Sequence, residues 1–164
     1  CGIPGQRMAR DRRLVMIGIV VVTHGELADG MADAVRLIAG PQEQLKTVAL
    51  REGDSIDELK TRIQTAITET NTGDGSLVFV DMLGASPSNA AAYLVRDDVE
   101  IIAGVNLPMI LEILGVRGSM PLGDVADMAM NAGKASIESL SNMMREALKG
   151  SQTTDEGTPS SSTD

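Results

Sequence analysis

The chain predicts an α/β fold: a three-layer, doubly wound and mostly parallel sheet with helices on both faces. Three observations carry this. Short apolar runs rich in β-branched residues alternate with stretches of amphipathic helical periodicity, the signature of repeated β-α units. Glycine, proline and small polar residues stand at the borders between them. The lone histidine and an aspartate directly follow two of the runs, where ligand sites of open α/β sheets lie.

Ile17-Gly18-Ile19-Val20-Val21-Val22-Thr23 predicts a buried first strand near 17–23, with His24 one residue past it and Gly25 next. A helix over 26–39 comes after it and is stopped by Gly40-Pro41. The second strand falls near 45–50, and Asp54 or Ser55 can cap a helix over 55–70. Ser76-Leu77-Val78-Phe79-Val80 marks the third strand, near 76–81, closing on Asp81 and a loop that contains Gly84. Ser86-Pro87 supplies a hydroxyl cap and a first-turn proline for a helix over 87–96. A fourth strand near 99–104 leads to Asn106 and Pro108, which open a helix over 107–116. Residues 122–149 read as one or two helices with a weak point at Asn131-Ala132-Gly133. There is no internal repeat. Successive β-α units imply right-handed crossovers, and the common order for four such strands, 2-1-3-4, sets the first and third side by side at the switch point.

With 164 residues, 43% of them apolar, the chain can build one sizeable core. One Phe, one Tyr and no Trp argue against nucleic-acid binding by base stacking. A formal charge of −9 points the same way, since it repels phosphate backbones and anionic lipid and favours a partner with a basic docking face. Cys1 alone can form no internal disulfide, which suits a reducing compartment. No apolar stretch approaches the roughly 18 residues of a membrane span, so a cytoplasmic protein without membrane insertion is expected. Residues 1–15 carry Arg7, Arg10, Arg12 and Arg13 without an apolar core and do not resemble a secretory signal. Met16, or else Met8, is the expected physiological start. Residues 151–164 are polar and low in complexity and are expected to be disordered, leaving 16–150 as the folded domain.

If the first and third strands are neighbours about 4.8 Å apart, His24 and Asp81 flank one crevice and can share a hydrogen bond. A carboxylate that accepts a proton from one imidazole nitrogen fixes the tautomer and leaves the other nitrogen free as a nucleophile. This is what an imidazole that accepts a phosphoryl group requires. The first amides of the helices after Gly25 and Ser86 would face the phosphoryl oxygens, and Gly25 and Gly84 would let backbone approach closely. Each assignment has a plain structural competitor. Asp81 can be a turn residue, Ser86 a routine cap, and Thr23 an ordinary β-branched strand residue. The Gly104–Pro108 stretch shapes a turn, and the methionines fill core or subunit contacts. A receiver domain would need an acidic pair where the chain has Thr23-His24-Gly25, and a flavodoxin-like module would need a Ser/Thr-rich phosphate loop after the first strand.

The segments IGIVVVTHG, VFVDMLGASPSNAA and AGVNLPM resemble the enzyme IIA component of the mannose family of the bacterial phosphoenolpyruvate-dependent sugar phosphotransferase system. The likeness extends over roughly 16–148. It implies that His24 accepts a phosphoryl group from the general histidine phosphocarrier protein on Nε2, that Asp81 orients the ring, and that Ser86 lies near the phosphoryl group. It also implies a homodimer with an exchanged C-terminal portion, no cofactor and no metal. Many members have two glycines where this chain has Gly84-Ala85, and often an aromatic where it has Leu83. The phosphotransfer subunit of dihydroxyacetone kinase is a neighbouring alternative, but LGASPSN and AGVNLPM fit the mannose family better. Transfer to a IIB component and use of the phosphorylated state as a signal to a regulatory protein are both compatible with the sequence.

Overall fold

In the computed structural model, which describes residues 15–152, β1 (Gly18–His24), β2 (Leu45–Leu50), β3 (Ser76–Val80) and β4 (Val99–Ala103) form one parallel sheet ordered β2-β1-β3-β4. Between and after them run α1 (Leu27–Ala39), α2 (Ile56–Thr70), α3 (Ser86–Ala92), α4 (Leu107–Ile113) and α5 (Leu122–Ala135). The predicted strand order is therefore the observed one. Strand alternation sorts the core into two halves. Ile19, Val21, Leu77 and Phe79 join Val35 of α1, Ile110 of α4 and Val125 of α5 on one face. Val20, Val22, Val78 and Val80 join Ile63 and Ile67 of α2 and Ala90 and Ala91 of α3 on the other.

Local chemistry sets the helix ends. Ser55 and Glu58 form a reciprocal capping box at the start of α2, and the Asn106 side chain accepts the Met109 amide at 3.2 Å to open α4. Gly40 closes α1, its amide donating to the Arg36 carbonyl at 3.0 Å. In two places the sequence misleads. Ser86 does not cap α3: Ala85 holds the cap position, no side chain bonds there, and Ser86 and Pro87 are the first two helical residues. α3 also stops at Ala92 rather than 96, because Leu94 bonds back to Ala91 at 2.8 Å and Arg96 pairs with Val99 to turn the chain into β4. Nor is Gly133 a break. It lies inside α5, buried, where a Cβ would collide with the Met109 side chain, so the missing side chain serves helix packing.

A second unit begins at Ala135 and carries α6 (Leu140–Gln152), in which Leu140, Met143 and Met144 fall on one face. α6 runs two residues into the stretch expected to be a tail, while 1–14 and 153–164 lie outside the described residues. Among the described residues, no helix is long and apolar enough to cross a membrane.

α4 was expected to reach 116 but ends at Ile113, where the chain tightens to deliver Arg117 into the interior. Arg117 is 4% exposed. Its guanidinium donates to the carbonyls of Ile17 at 3.3 Å, Gln44 at 3.5 Å and Glu43 at 2.7 Å, and to Gln42 Oε1 at 3.4 Å. Its own carbonyl accepts the Ile17 amide at 2.8 Å. One side chain thus satisfies the backbone where β1 and β2 begin. Burial lowers its pKa, yet a guanidinium stays charged at neutral pH. Arg117→Met should lower the unfolding free energy by about 3 kcal/mol in urea titration, since buried carbonyls lose their donors. A loss under about 0.5 kcal/mol, as for a surface substitution, would show that the clamp is not stabilising.

Candidate functional site

β1 outruns β3. Val22 pairs with Val80 at the end of the β1–β3 ladder, while β1 continues two residues further, with His24 in register with Leu50 of β2. His24 is therefore the last strand residue rather than the first beyond it, and its amide has no β3 carbonyl to meet. The Asp81 carboxylate takes that place. Its Oδ2 accepts the His24 amide at 2.9 Å and lies 2.6 Å from His24 Nδ1. Its Oδ1 accepts the Met82 amide at 2.9 Å. One carboxylate thus ends the ladder and fixes the ring. With Nδ1 as the donor, Nε2 carries the free lone pair. The His24 side chain is 46% exposed and that of Asp81 13%, so an approachable ring rests on a shielded acid.

Burial pushes the Asp81 pKa up, but the hydrogen bonds from the His24 amide and ring, the His24 charge and the Met82 amide together hold it below the ordinary 3.8. At neutral pH the group is an anion.

The surrounding turns reflect local geometry. Gly25 has φ +55° and its amide donates to the Leu50 carbonyl at 2.9 Å, so this amide is occupied and the glycine's part is to open the turn. The buried Thr23 hydroxyl accepts the Ala28 amide at 2.8 Å and so holds the start of α1, a role that the sequence did not reveal. Gly84, φ +80°, turns the loop after Asp81, and open space surrounds it. Ser86, partly buried, stands in the first turn of α3. Met82 and Leu83 are exposed at 56% and 83% in the loop after the acid. Arg51, next after Leu50, reaches Glu26 of the β1–α1 turn, Nη2 to Oε1 at 3.2 Å. Among the described residues, no group of three or more His, Cys, Asp or Glu could hold a metal ion.

Residues 18–130 match the family model described as PTS system fructose IIA component. The chain is 32% identical over 127 residues to the PTS system mannose-specific EIIAB component of Escherichia coli K12, a match covering 76% of this chain and 39% of that protein. The chain thus spans well under half the length of this relative. It is 27% identical over 143 residues to the PTS system fructose-specific EIIA component of Bacillus subtilis, covering 86% of this chain and 98% of that one. The crystal structure of phosphotransferase system component EIIA from Streptococcus agalactiae superposes with a TM-score of 0.71 at 27% identity, covering 77% of this chain and 99% of that one.

Folding lowers the Asp81 pKa, so the unfolded chain binds this proton more readily than the native one. The stabilisation is complete above the ordinary value of 3.8 and disappears as pH falls through the lower native value. The difference in unfolding free energy between the parent and Asp81→Asn should shrink as pH falls below about 4. Chemical denaturation across pH measures it, and a difference that grew over that acidic range would contradict the charge assignment.

Proposed function

Since the chain belongs to the mannose- and fructose-type IIA family of the phosphotransferase system, we propose that it carries a phosphoryl group on His24 in the cytoplasm. It takes the group from the general histidine phosphocarrier protein and passes it to a IIB component, or presents it as a signal to a regulatory protein. The observation that carries this reading is the 2.6 Å contact between His24 Nδ1 and Asp81 Oδ2 on a ring whose side chain is 46% exposed. The Nε2 lone pair attacks phosphorus as the partner's P–N bond breaks, and the electron pair of that bond returns to the partner's ring. His24 keeps its proton on Nδ1, donated in a hydrogen bond to Asp81, whose anion offsets the positive charge the imidazole gains. Attacking and leaving nitrogens lie in line, so docking supplies most of the catalysis. In this reading Gly25 and Gly84 keep the approach clear of side chains and Ser86 offers its hydroxyl and first-turn amide to the phosphoryl oxygens. Met82 and Leu83 give the partner an apolar footing beside the acceptor.

The same family supports a homodimer. Ile137, Leu140, Met143 and Met144 are largely exposed, and we assign them to contact with a second copy of the chain.

Incubation with phosphoenolpyruvate and the general proteins of the system should place an acid-labile phosphate on the parent and none on His24→Ala. Equal labelling of the two would overturn the proposal. In sedimentation velocity the parent should run as a dimer and Leu140→Glu/Met144→Glu as a folded monomer. A monomeric parent would remove the dimer from the reading.

A further inference from the structure

Transfer adds a dianionic group to a protein whose formal charge is already −9. A nearby cation would offset that charge, and the site contains one that the histidine and its acid do not use. Nδ1 of His24 is tied to Asp81 on the β3 side, which leaves Nε2 on the ring edge turned away from that acid. Across β1 from β3 lies β2, whose Leu50 is in register with His24 and accepts the Gly25 amide at 2.9 Å. Arg51 is the next residue. Its backbone is pinned, the amide donating to Asp54 Oδ2 at 2.8 Å and the carbonyl accepting the Asp54 amide at 3.1 Å. Its side chain, by contrast, is 60% exposed and forms an ion pair with the 74% exposed Glu26, at 3.2 Å. Such a solvated pair is weak and readily exchanged. The other cations along β2 and α2 are engaged elsewhere: Lys46 pairs with Glu69 at 3.0 Å, Lys60 lies over the Tyr93 ring at 4.9 Å from its centroid, and Arg62 holds Asp54 and the Ala49 carbonyl.

We infer that Arg51 binds the phosphoryl group on His24, exchanging Glu26 for the phosphoryl oxygens when the group arrives. A guanidinium suits this role because its planar donors match phosphoryl oxygens two at a time, and a dianion is a stronger partner than one exposed carboxylate. Glu26 keeps the guanidinium beside the β1–α1 turn in the resting protein and competes with the phosphoryl group for it. The inference rests on the phosphohistidine reading of His24.

The test is the equilibrium constant for phosphoryl exchange between the general phosphocarrier protein and the full chain, with 31P NMR on the phosphorylated product. Docking alters how fast this equilibrium is reached but not where it lies, so a contact made only to the partner would leave the constant unchanged. Arg51→Gln should lower the constant about fivefold and shift the phosphohistidine resonance, Arg51→Lys should recover part of the loss, and Glu26→Gln should not lower it. An Arg51→Gln protein with the parent's constant and resonance would overturn the inference. So would equal losses in Arg51→Gln and Glu26→Gln, which would mean that only their mutual ion pair matters. A parent that takes up no phosphoryl group would instead sink the phosphohistidine reading itself.

Discussion

The Asp81 carboxylate bonds His24 twice, at its amide and at its ring, and the rest of the site depends on that double hold. Because Oδ2 meets both groups, the ring is referenced to the backbone that carries it. A histidine held only at the ring would follow the motion of its acid. The arrangement requires β1 to extend past β3, so that an amide is left unpaired where a carboxylate can reach it. Asp81 therefore completes a sheet and orients an imidazole through a single oxygen. Met82 contributes the opposing constraint, its amide fixing the second oxygen so that the carboxylate cannot rotate away.

Much of this was legible in the sequence because β1 and β3 are buried on both faces. Uninterrupted apolar runs such as Ile17–Thr23 and Ser76–Val80 leave little doubt about where strands end, so His24 and Asp81 stand out just past them. Strand order came from the number of β-α units, and the meeting of His24 with Asp81 came from strand order. The features that escaped did so for specific causes. Ser86-Pro87 reads as cap and first turn, but the cap needs extended backbone one residue earlier, and Ala85 has it. Gly133 reads as a breaker because sequence cannot show that Met109 occupies the space a side chain would need. Arg117 gives no signal in the sequence, since nothing near it in the chain foretells three carbonyls converging from residues 17, 43 and 44. Arg51 is equally silent until the β1–β2 register sets it one residue past the partner of His24.

The two ends of the sheet are built on opposite terms. Where β1 and β2 begin, a buried guanidinium gathers the carbonyls of Ile17 and Glu43. Where they finish, the ring, Arg51, Glu26, Met82 and Leu83 all remain exposed. Stability concentrated at one end allows the other to keep surfaces that do nothing for the isolated fold. A protein-docking acceptor needs that allowance, because its reacting atom has to be reached by another macromolecule's side chain.

The acidic character of the chain then becomes a question of distance. A charge of −9 spread over the surface attracts a basic partner from afar, and salt screens that field over about 8 Å at physiological ionic strength. On the phosphohistidine proposal, however, the phosphoryl group is bonded to a ring whose neighbour Asp81 is held as an anion at contact distance. Global charge can steer the encounter but cannot neutralise the group that the encounter delivers. Under that proposal compensation comes from within the site, from amides and hydroxyls near Gly84 and Ser86 on one side and from a guanidinium on the other. Of these, only the guanidinium carries a full positive charge, and it stands one residue past the strand that pairs with β1 on the side away from the acid's strand.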